Sequence, residues 1–548
     1  MIIDMKLYEY IDKCLIEFGI EKVFGVPGSL VMPIWQGITR AEIILCSHEQ
    51  EASYLATGYS KISRKPAVVI TTGGPGVTNC ISGIASANID SIPLIYISGR
   101  TALRENGYGQ KQEESSFNRM FDSVDVMSNF TKKSVCITDE YTAANEIKNT
   151  MHRAISGRQG AVHISIPIDM QKIEIKDSKL INVSDTNKCS EKISFKKFSR
   201  RPLFIIGWGA WMANSFGEIY ELAEKINAPV VVTSKAYCCI DVNSPMYVGK
   251  IGYGNNPMIE NFLNFYNPDS IYAFGTSLGI KDIEGCIVSD LIKKVDTYVI
   301  TNEYTMKKKP EDRLKVLLKP DMKKFVTMLC DMEAERKKDN NLQKAILDIR
   351  GEIKEYWKSK IDEKDTMAKV THILTDKCNE NMVVTADAGN HLANVGAIFT
   401  PKESGGLFLD VGLRAMGTGI CTTVGMAIAN NEKTYLAITG DGCMLMNGNV
   451  LHVAKEQDLL VIFILFNNNS LGRVRIGQSV MNDFRASDIK NVDFQHYGRA
   501  FGLETYLFTE IDEFEANIDS IICKRKTCLV EFVTNRDEIP LSVKGNVF

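Results

Sequence analysis

Two short polar stretches, Gly440-Asp441-Gly442 and Asn467-Asn468-Asn469, follow the apolar runs Tyr435–Ile438 and Leu459–Phe466. Asp441 and Asn468 stand twenty-seven positions apart, about the length of one helical crossover between parallel strands. The stretch reads as strand, glycine turn, helix, strand and polar turn. In a parallel sheet the two turns lie side by side at the carboxyl edge, where open α/β sheets bind their ligands, so the Asp441 carboxylate can face the Asn468 amide. A carboxylate, an amide oxygen and a turn carbonyl are hard oxygen donors that suit Mg2+, an ion that keeps its other positions for water and phosphate oxygens. Gly440 and Gly442 remove the side chains that would hold a diphosphate away from backbone amides and the start of the next helix. Residue types and spacing therefore predict a site for a metal and a diphosphate.

Such a site needs a parallel sheet to hold it, and the chain carries the rhythm of three. Residues 1–172 alternate helical patterns with the apolar runs Ala67–Thr72, Leu94–Ser98 and Val162–Pro167, as in a parallel sheet covered by helices. A central domain over 190–330 repeats this with Leu203–Ile206, Pro229–Thr233, Ser270–Phe274 and Thr297–Thr301. A third, over 360–548, does so with Met382–Thr385, Thr434–Ile438, Val461–Phe466 and Cys528–Val533. The run Gln171–Arg200 is polar, rich in lysine and serine and without sustained periodicity, which predicts a linker. Asp321–Lys364 is dense in charge with Ile346, Ile349, Ile353 and Trp357 at helical spacing, which predicts a connecting helical segment. The expected fold class is α/β, with three doubly wound parallel-sheet domains.

With 45% hydrophobic and 24% charged residues among 548, the chain has the composition of a soluble globular protein. A net charge of −3 gives no polyanion-binding surface, so nucleic acid is not an expected partner. The fourteen cysteines are scattered without paired CxxC sets, and no signal peptide or long apolar span is legible. These features predict a reduced, cytoplasmic protein without membrane attachment.

Nearer the start, Val23-Phe24-Gly25-Val26-Pro27-Gly28 precedes Ser47-His48-Glu49-Gln50-Glu51-Ala52 and Thr72-Gly73-Gly74-Pro75-Gly76. Together with the Asp441 and Asn468 stretch, this set resembles the thiamine-diphosphate-dependent enzymes, in their acetolactate synthase-like branch. The resemblance covers nearly the whole chain, specifically in the first and third domains and only in outline in the middle one. It implies a pyrimidine-binding, a central and a diphosphate-binding domain, with Asp441, Asn468 and the carbonyl of Ser470 holding Mg2+. Glu49 would hydrogen-bond the aminopyrimidine of the cofactor and favour its imino form, so that the cofactor can remove its own weakly acidic thiazolium C2 proton in a water-poor site. Glu51 and His48 are read as supporting or surface positions.

The resemblance also implies cofactor contacts from Gly74, from Gly389, Asn390 and His391 in Asp387-Ala388-Gly389-Asn390-His391, and from Gly440, Gly442 and Cys443. Gly412-Leu413-Arg414-Ala415-Met416-Gly417 resembles the segment whose methionine, here Met416, wedges between the two cofactor rings. Arg414 stands where a glycine is frequent, so only its backbone carbonyl inherits the aminopyrimidine contact. Lys111-Gln112-Glu113 is similar to a phenylalanine-glutamine-glutamate motif, which makes Gln112 a candidate to polarise the substrate carbonyl. The tryptophan that acetolactate synthases carry after the polar turn is replaced by Gly477, which implies a wider acceptor pocket, with Arg473 and Arg475 as cationic candidates beside it or as a solvated basic turn.

By this resemblance the chain is expected to be a decarboxylating carboligase acting on a 2-oxoacid, with pyruvate the expected one, and a second carbonyl compound: another 2-oxoacid, or a different aldehyde or ketone such as a keto-sugar. It would be an obligate homodimer or tetramer, because relatives bind the cofactor between the first domain of one subunit and the third of its neighbour. Many relatives hold FAD in the central domain; Gly207-Trp208-Gly209 and Gly249–Gly254 are the segments for it here. Lys281-Asp282 replaces an arginine motif, so FAD bound and FAD absent both stay open. The alternatives are a non-ligating 2-oxoacid decarboxylase, whose paired histidines near Gln112 are missing, and a non-catalytic regulatory or scaffold subunit. The joint presence of Glu49, Asp441 and Asn468 speaks against the scaffold.

Overall fold

The computed structural model describes residues 4–117, 119–176, 197–252, 255–283, 285–307, 312–319 and 321–541. They form three six-stranded sheets in which every neighbouring pair is parallel. In spatial order the first sheet runs 42–45, 22–26, 67–71, 94–100, 161–167 and 134–136. The second runs 247–251, 230–233, 202–206, 270–274, 296–301 and 314–318. The third runs 407–409, 382–386, 434–440, 461–467, 528–533 and 504–508. Inner strands such as Leu94–Arg100 and Val461–Asn467 are buried at every position, as a sheet covered on both faces requires.

Every run expected as a strand is one, to within two residues, and the charged connection forms two helices, Met322–Met332 and Asn340–Ser359. Two expectations are corrected. The start of the expected linker is structured: Glu174–Lys176 pairs antiparallel with Asp4–Lys6, a backbone ladder that leaves no trace in hydrophobic periodicity. The rest of that run, 177–196, lies outside the described residues. Nor is Gly440-Asp441-Gly442 a turn, because the strand Thr434–Gly440 passes directly into the helix Asp441–Asn447. The segment up to the next strand holds a second helix, Val450–Glu456, after a break at Gly448-Asn449.

Two compact units result. One holds the first sheet together with residues 412–431 and 447–459, and the other holds the remaining two sheets. Within the first unit, helix Glu49–Ser63 crosses helix Thr418–Ala429 backbone to backbone. A Cβ at Gly58 would run into the Thr422 carbonyl, and one at Gly425 into that of Leu55. On another side, a Cβ at Gly83 in helix Pro75–Ile89 would strike the Ser53 side chain. Pinned by both helices, Glu49–Ser63 is buried without interruption from Glu51 to Lys61, although its sequence has no clean apolar stripe. None of the described cysteines is in a disulfide, and no described helix is long and apolar enough to cross a membrane.

Candidate active site

The second unit assembles one group of candidate residues at the carboxyl ends of three adjacent strands. Strands Met382–Ala386, Thr434–Gly440 and Val461–Asn467 lie side by side and deliver Asp387–His391, Asp441 and Asn468–Ser470 to one edge of the sheet. The three asparagines after the last strand divide the work. Asn467 folds the turn, with Oδ1 accepting from the Asn469 amide at 3.1 Å and Nδ2 donating to Glu531 at 2.7 Å. Asn469 takes the left-handed conformation at φ 51°, which asparagine tolerates better than most residues. Asn468 presents its amide oxygen: Asn468 Oδ1 and Asp441 Oδ2 both accept from the Ser470 amide at 3.2 Å.

Asp441 is 3% exposed. Burial pushes its carboxyl above the usual range, while the backbone N–H groups of Gly442, Ser470, Asn468 and Asn469 favour the charged form. Among the described residues no three His, Cys, Asp or Glu side chains converge as a metal-binding cluster. A cation here therefore needs a site built on one carboxylate plus neutral oxygens. Asp441 and Asn468 meet on one amide, and the Ser470 carbonyl, which accepts from Gly472 at 2.9 Å, keeps a second lone pair. That oxygen set fits Mg2+.

Beside it, helix Asn390–Ile398 starts immediately after Gly389. A Cβ at Gly389 would enter the His391 ring, and one at Gly440 would press on it at 3.2 Å, so both glycines make room for the imidazole. Burial pushes His391 down to about 4 and keeps it neutral. Its Nε2 and the Oδ1 of Asn390 are buried without a hydrogen-bond partner. Orphaned polar atoms are rare in folded proteins unless a ligand completes them; as acceptors these two suit a donor or a cation, while the backbone N–H groups that open the helix suit a phosphate. Cys443 turns its Sγ to the Ala388 carbonyl at 3.0 Å, which ties the Asp441 helix to the Asp387–Gly389 segment.

The first unit assembles the second group. His48 caps helix Glu49–Ser63 by accepting from the Gln50 amide at 3.1 Å. This leaves Glu49 on the first turn, half-buried, with Oε2 accepting from Asn79 Nδ2 at 2.9 Å. Gly74, at φ 62°, follows strand Ala67–Thr71 and donates its amide to Glu114. A Cβ there would lie 3.1 Å from that of Gln112, which itself sits at φ 62°. The Gln112 loop is held by its two neighbours: buried Glu113 accepts from the amides of Gly107, Gly109 and Gln110 and from Ser115 Oγ, and buried Glu114 anchors Gly74. Arg414 adopts φ 61°, a left-handed conformation that explains why a glycine is expected there. The Met416 carbonyl accepts from Asn447 at 3.4 Å.

Of the two positions offered for Glu51, supporting or surface, the structure excludes the surface. Glu51 is fully buried, accepts from Asn449 Nδ2 at 2.5 Å and from the Ser47 amide at 3.3 Å, and burial pushes its carboxyl from 4.5 up to about 7. With the folded value raised, the folded state holds a proton that the unfolded chain has released. The contribution of Glu51 to stability is therefore complete below about pH 4.5 and is lost as pH rises through 7. Melting curves at pH 5 and pH 8 are expected to show Glu51→Gln gaining on the native protein toward pH 8, by up to roughly 3 kcal/mol. A constant offset between the two would remove the ionisation from the account.

The candidate cations resolve differently. Arg475 pairs with Asp488 at 3.1 Å and Asp537 at 2.8 Å and lies over Phe484; it clamps loops and does not await a substrate. Arg473 is exposed. At Gly477 an added Cβ would meet nothing within 4 Å. In the central sheet the glycines named for FAD are filled by protein: Gly207 and Gly209 abut Gly275 and Thr276, and Gly249 abuts Ile259. Packing against protein accounts for these three glycines. Tyr253, Gly254 and the Lys281 side chain lie outside the described residues.

Comparison with known proteins gives three family matches. Residues 5–122 match the thiamine pyrophosphate enzyme N-terminal TPP binding domain, 197–300 the central domain, and 387–532 the C-terminal TPP binding domain. The acetolactate synthase large subunit of Lactococcus lactis is 25% identical over 95% of this chain and 91% of its own length. The isozyme 1 large subunit of Escherichia coli is 26% identical over 97% and 94%. A probable acetolactate synthase large subunit of Methanocaldococcus jannaschii is 25% identical over 99% and 94%.

Proposed function

Because this chain belongs to the thiamine-diphosphate-dependent enzymes of the acetolactate synthase type, we propose that it decarboxylates a 2-oxoacid, pyruvate in the first instance, and joins the remaining two-carbon unit to a second carbonyl compound. Bound thiamine diphosphate supplies the carbanion chemistry that both halves of this reaction need. When these groups are bound, Asp441, Asn468 and the Ser470 carbonyl would hold Mg2+, and the backbone N–H groups that open helix Asn390–Ile398 would receive the diphosphate beside Asn390 and His391. Glu49 would hold and return a proton at the aminopyrimidine, Met416 would pack against the cofactor, and Gln112 would donate from its amide to the substrate carbonyl. The net reaction releases CO2 and is redox-neutral, so it consumes no oxidant and a bound flavin would serve the structure.

The single observation that supports this reading most is the convergence of Asp441 Oδ2 and Asn468 Oδ1 on one amide, beside the orphaned His391 and Asn390 atoms. We propose that the working form is a cytoplasmic homodimer or larger, in which Glu49 and Asp441 of one site come from different chains. The deciding experiment incubates purified protein with thiamine diphosphate, Mg2+ and labelled pyruvate, alone and with candidate acceptors, and follows the label by NMR. Carbon–carbon bond formation is the expected result; free aldehyde alone would reject carboligation. Visible absorbance of the same sample tests for flavin.

The open space at Gly477 bears on the acceptor. Gly477→Trp is expected to fill it and lower turnover with bulky acceptors by roughly 10- to 100-fold relative to pyruvate. Competition assays with two acceptors in one tube check this, and an unchanged product ratio would place the acceptor elsewhere.

A further inference from the structure

Lys250 has no role in the chemistry above, yet it is a buried charge. It lies in strand Tyr247–Ile251 at the edge of the central sheet and is 6% exposed. Among the described residues no carboxylate pairs with it. Its Nζ donates to the carbonyls of Ala397 at 3.1 Å and Phe399 at 2.8 Å and stands 5.3 Å from the centre of the Tyr237 ring. Burial pushes the ammonium down to about 7, a cost that an apolar side chain of the same length would avoid.

The two acceptors identify what is gained. Ala397 and Phe399 form the last turn and cap of helix Asn390–Ile398, whose final carbonyls have no partner within the helix. The opposite end of the same nine-residue helix, about 13 Å away, carries Asn390 and His391. A helix is favoured by negative charge at its amino end and positive charge at its carboxyl end. Here the carboxyl end has a fixed cation supplied by a different sheet.

We propose that Lys250 is a positioning residue for the cofactor: by capping the carboxyl end of helix Asn390–Ile398, it fixes the amino end that receives the diphosphate and makes the central sheet part of the support of the active site. The inference rests on the reading that the diphosphate binds at Gly389–His391.

The test uses the full-length protein and Lys250→Met, which keeps the length of the side chain and removes its donors. Calorimetry with saturating Mg2+ is expected to show thiamine diphosphate bound about 5- to 30-fold more weakly. Hydrogen exchange in the cofactor-free protein is expected to quicken within 390–399, with the melting temperature preserved or raised, since a buried charge has been removed. Lys250→Gln, which retains a donor for one carbonyl, is expected to fall between the two. Affinity within two-fold of the native protein in Lys250→Met would overturn the proposal. So would exchange that quickens throughout the central sheet together with a drop in melting temperature, the mark of a merely structural lysine. Failure of the native protein itself to bind the cofactor would instead strike the reading of the site.

Discussion

Glu49→Gln is expected to lower turnover by roughly two to four orders of magnitude, the usual worth of a positioned proton carrier, while thiamine diphosphate still binds within a few-fold of the native affinity. Glutamine has nearly the same shape and can still accept from Asn79 Nδ2, so the first turn of helix Glu49–Ser63 keeps its contact. What it lacks is the ability to hold a proton and give it back. The burial from Glu51 onward means that the backbone cannot shift to let another group take the place of Glu49. Deuterium exchange at the cofactor C2 position, read by NMR alongside steady-state turnover, separates this step from substrate binding. If exchange and turnover both stay within five-fold of native, the role assigned to Glu49 is wrong.

Asp441→Ala is expected to act on binding. Loss of even a supporting contact at a metal site costs 10- to 100-fold in affinity, so removal of the one carboxylate in this oxygen set is expected to weaken Mg2+-dependent cofactor uptake by more than about 100-fold. The cofactor-free fold is expected to tolerate the change, because the Ser470 amide keeps Asn468 Oδ1 as an acceptor and burial already disfavours the Asp441 charge. Calorimetry with and without Mg2+ measures the first expectation and thermal melting the second. Mixing the two variants extends the test. If a site takes Glu49 and Asp441 from different chains, random exchange of subunits restores about a quarter of native activity, because half of the dimers regain one complete site. Mixtures as inactive as their components would put both residues in one chain.

Much of this architecture was legible in advance for a simple reason: inner parallel strands are continuous apolar runs, and the chain has enough of them to count. What escaped lay mostly at the sheet margins. Ser134–Cys136, Leu314–Leu318, Leu407–Leu409 and Glu504–Phe508 each have a neighbour on one side only, and all four are short or carry a charge that blurs the pattern. At the candidate site, Asp441, Asn468 and His391 could be singled out because they follow strands and their side chains suit a ligand. Glu51 and Lys250 could not. A glutamate in a first helical turn and a lysine in a strand are ordinary surface residues until the partner is known, and their partners, Asn449 and the Ala397 and Phe399 carbonyls, lie 398 and about 150 positions away. The left-handed backbone at Arg414 was visible only as a missing glycine.

The crossing at Gly58 and Gly425 bears on how the polypeptide reaches its native state during synthesis. The unit built on the amino-terminal sheet is completed only by residues 412–431 and 447–459. At ribosomal speeds of 5–20 residues per second those segments emerge on the order of tens of seconds later. Until then the nascent amino-terminal sheet displays the glycine-notched side of helix Glu49–Ser63 to whatever else is nearby. A fragment ending near residue 176 should therefore be poorly soluble by itself and should be rescued by supplying a peptide that spans 412–459.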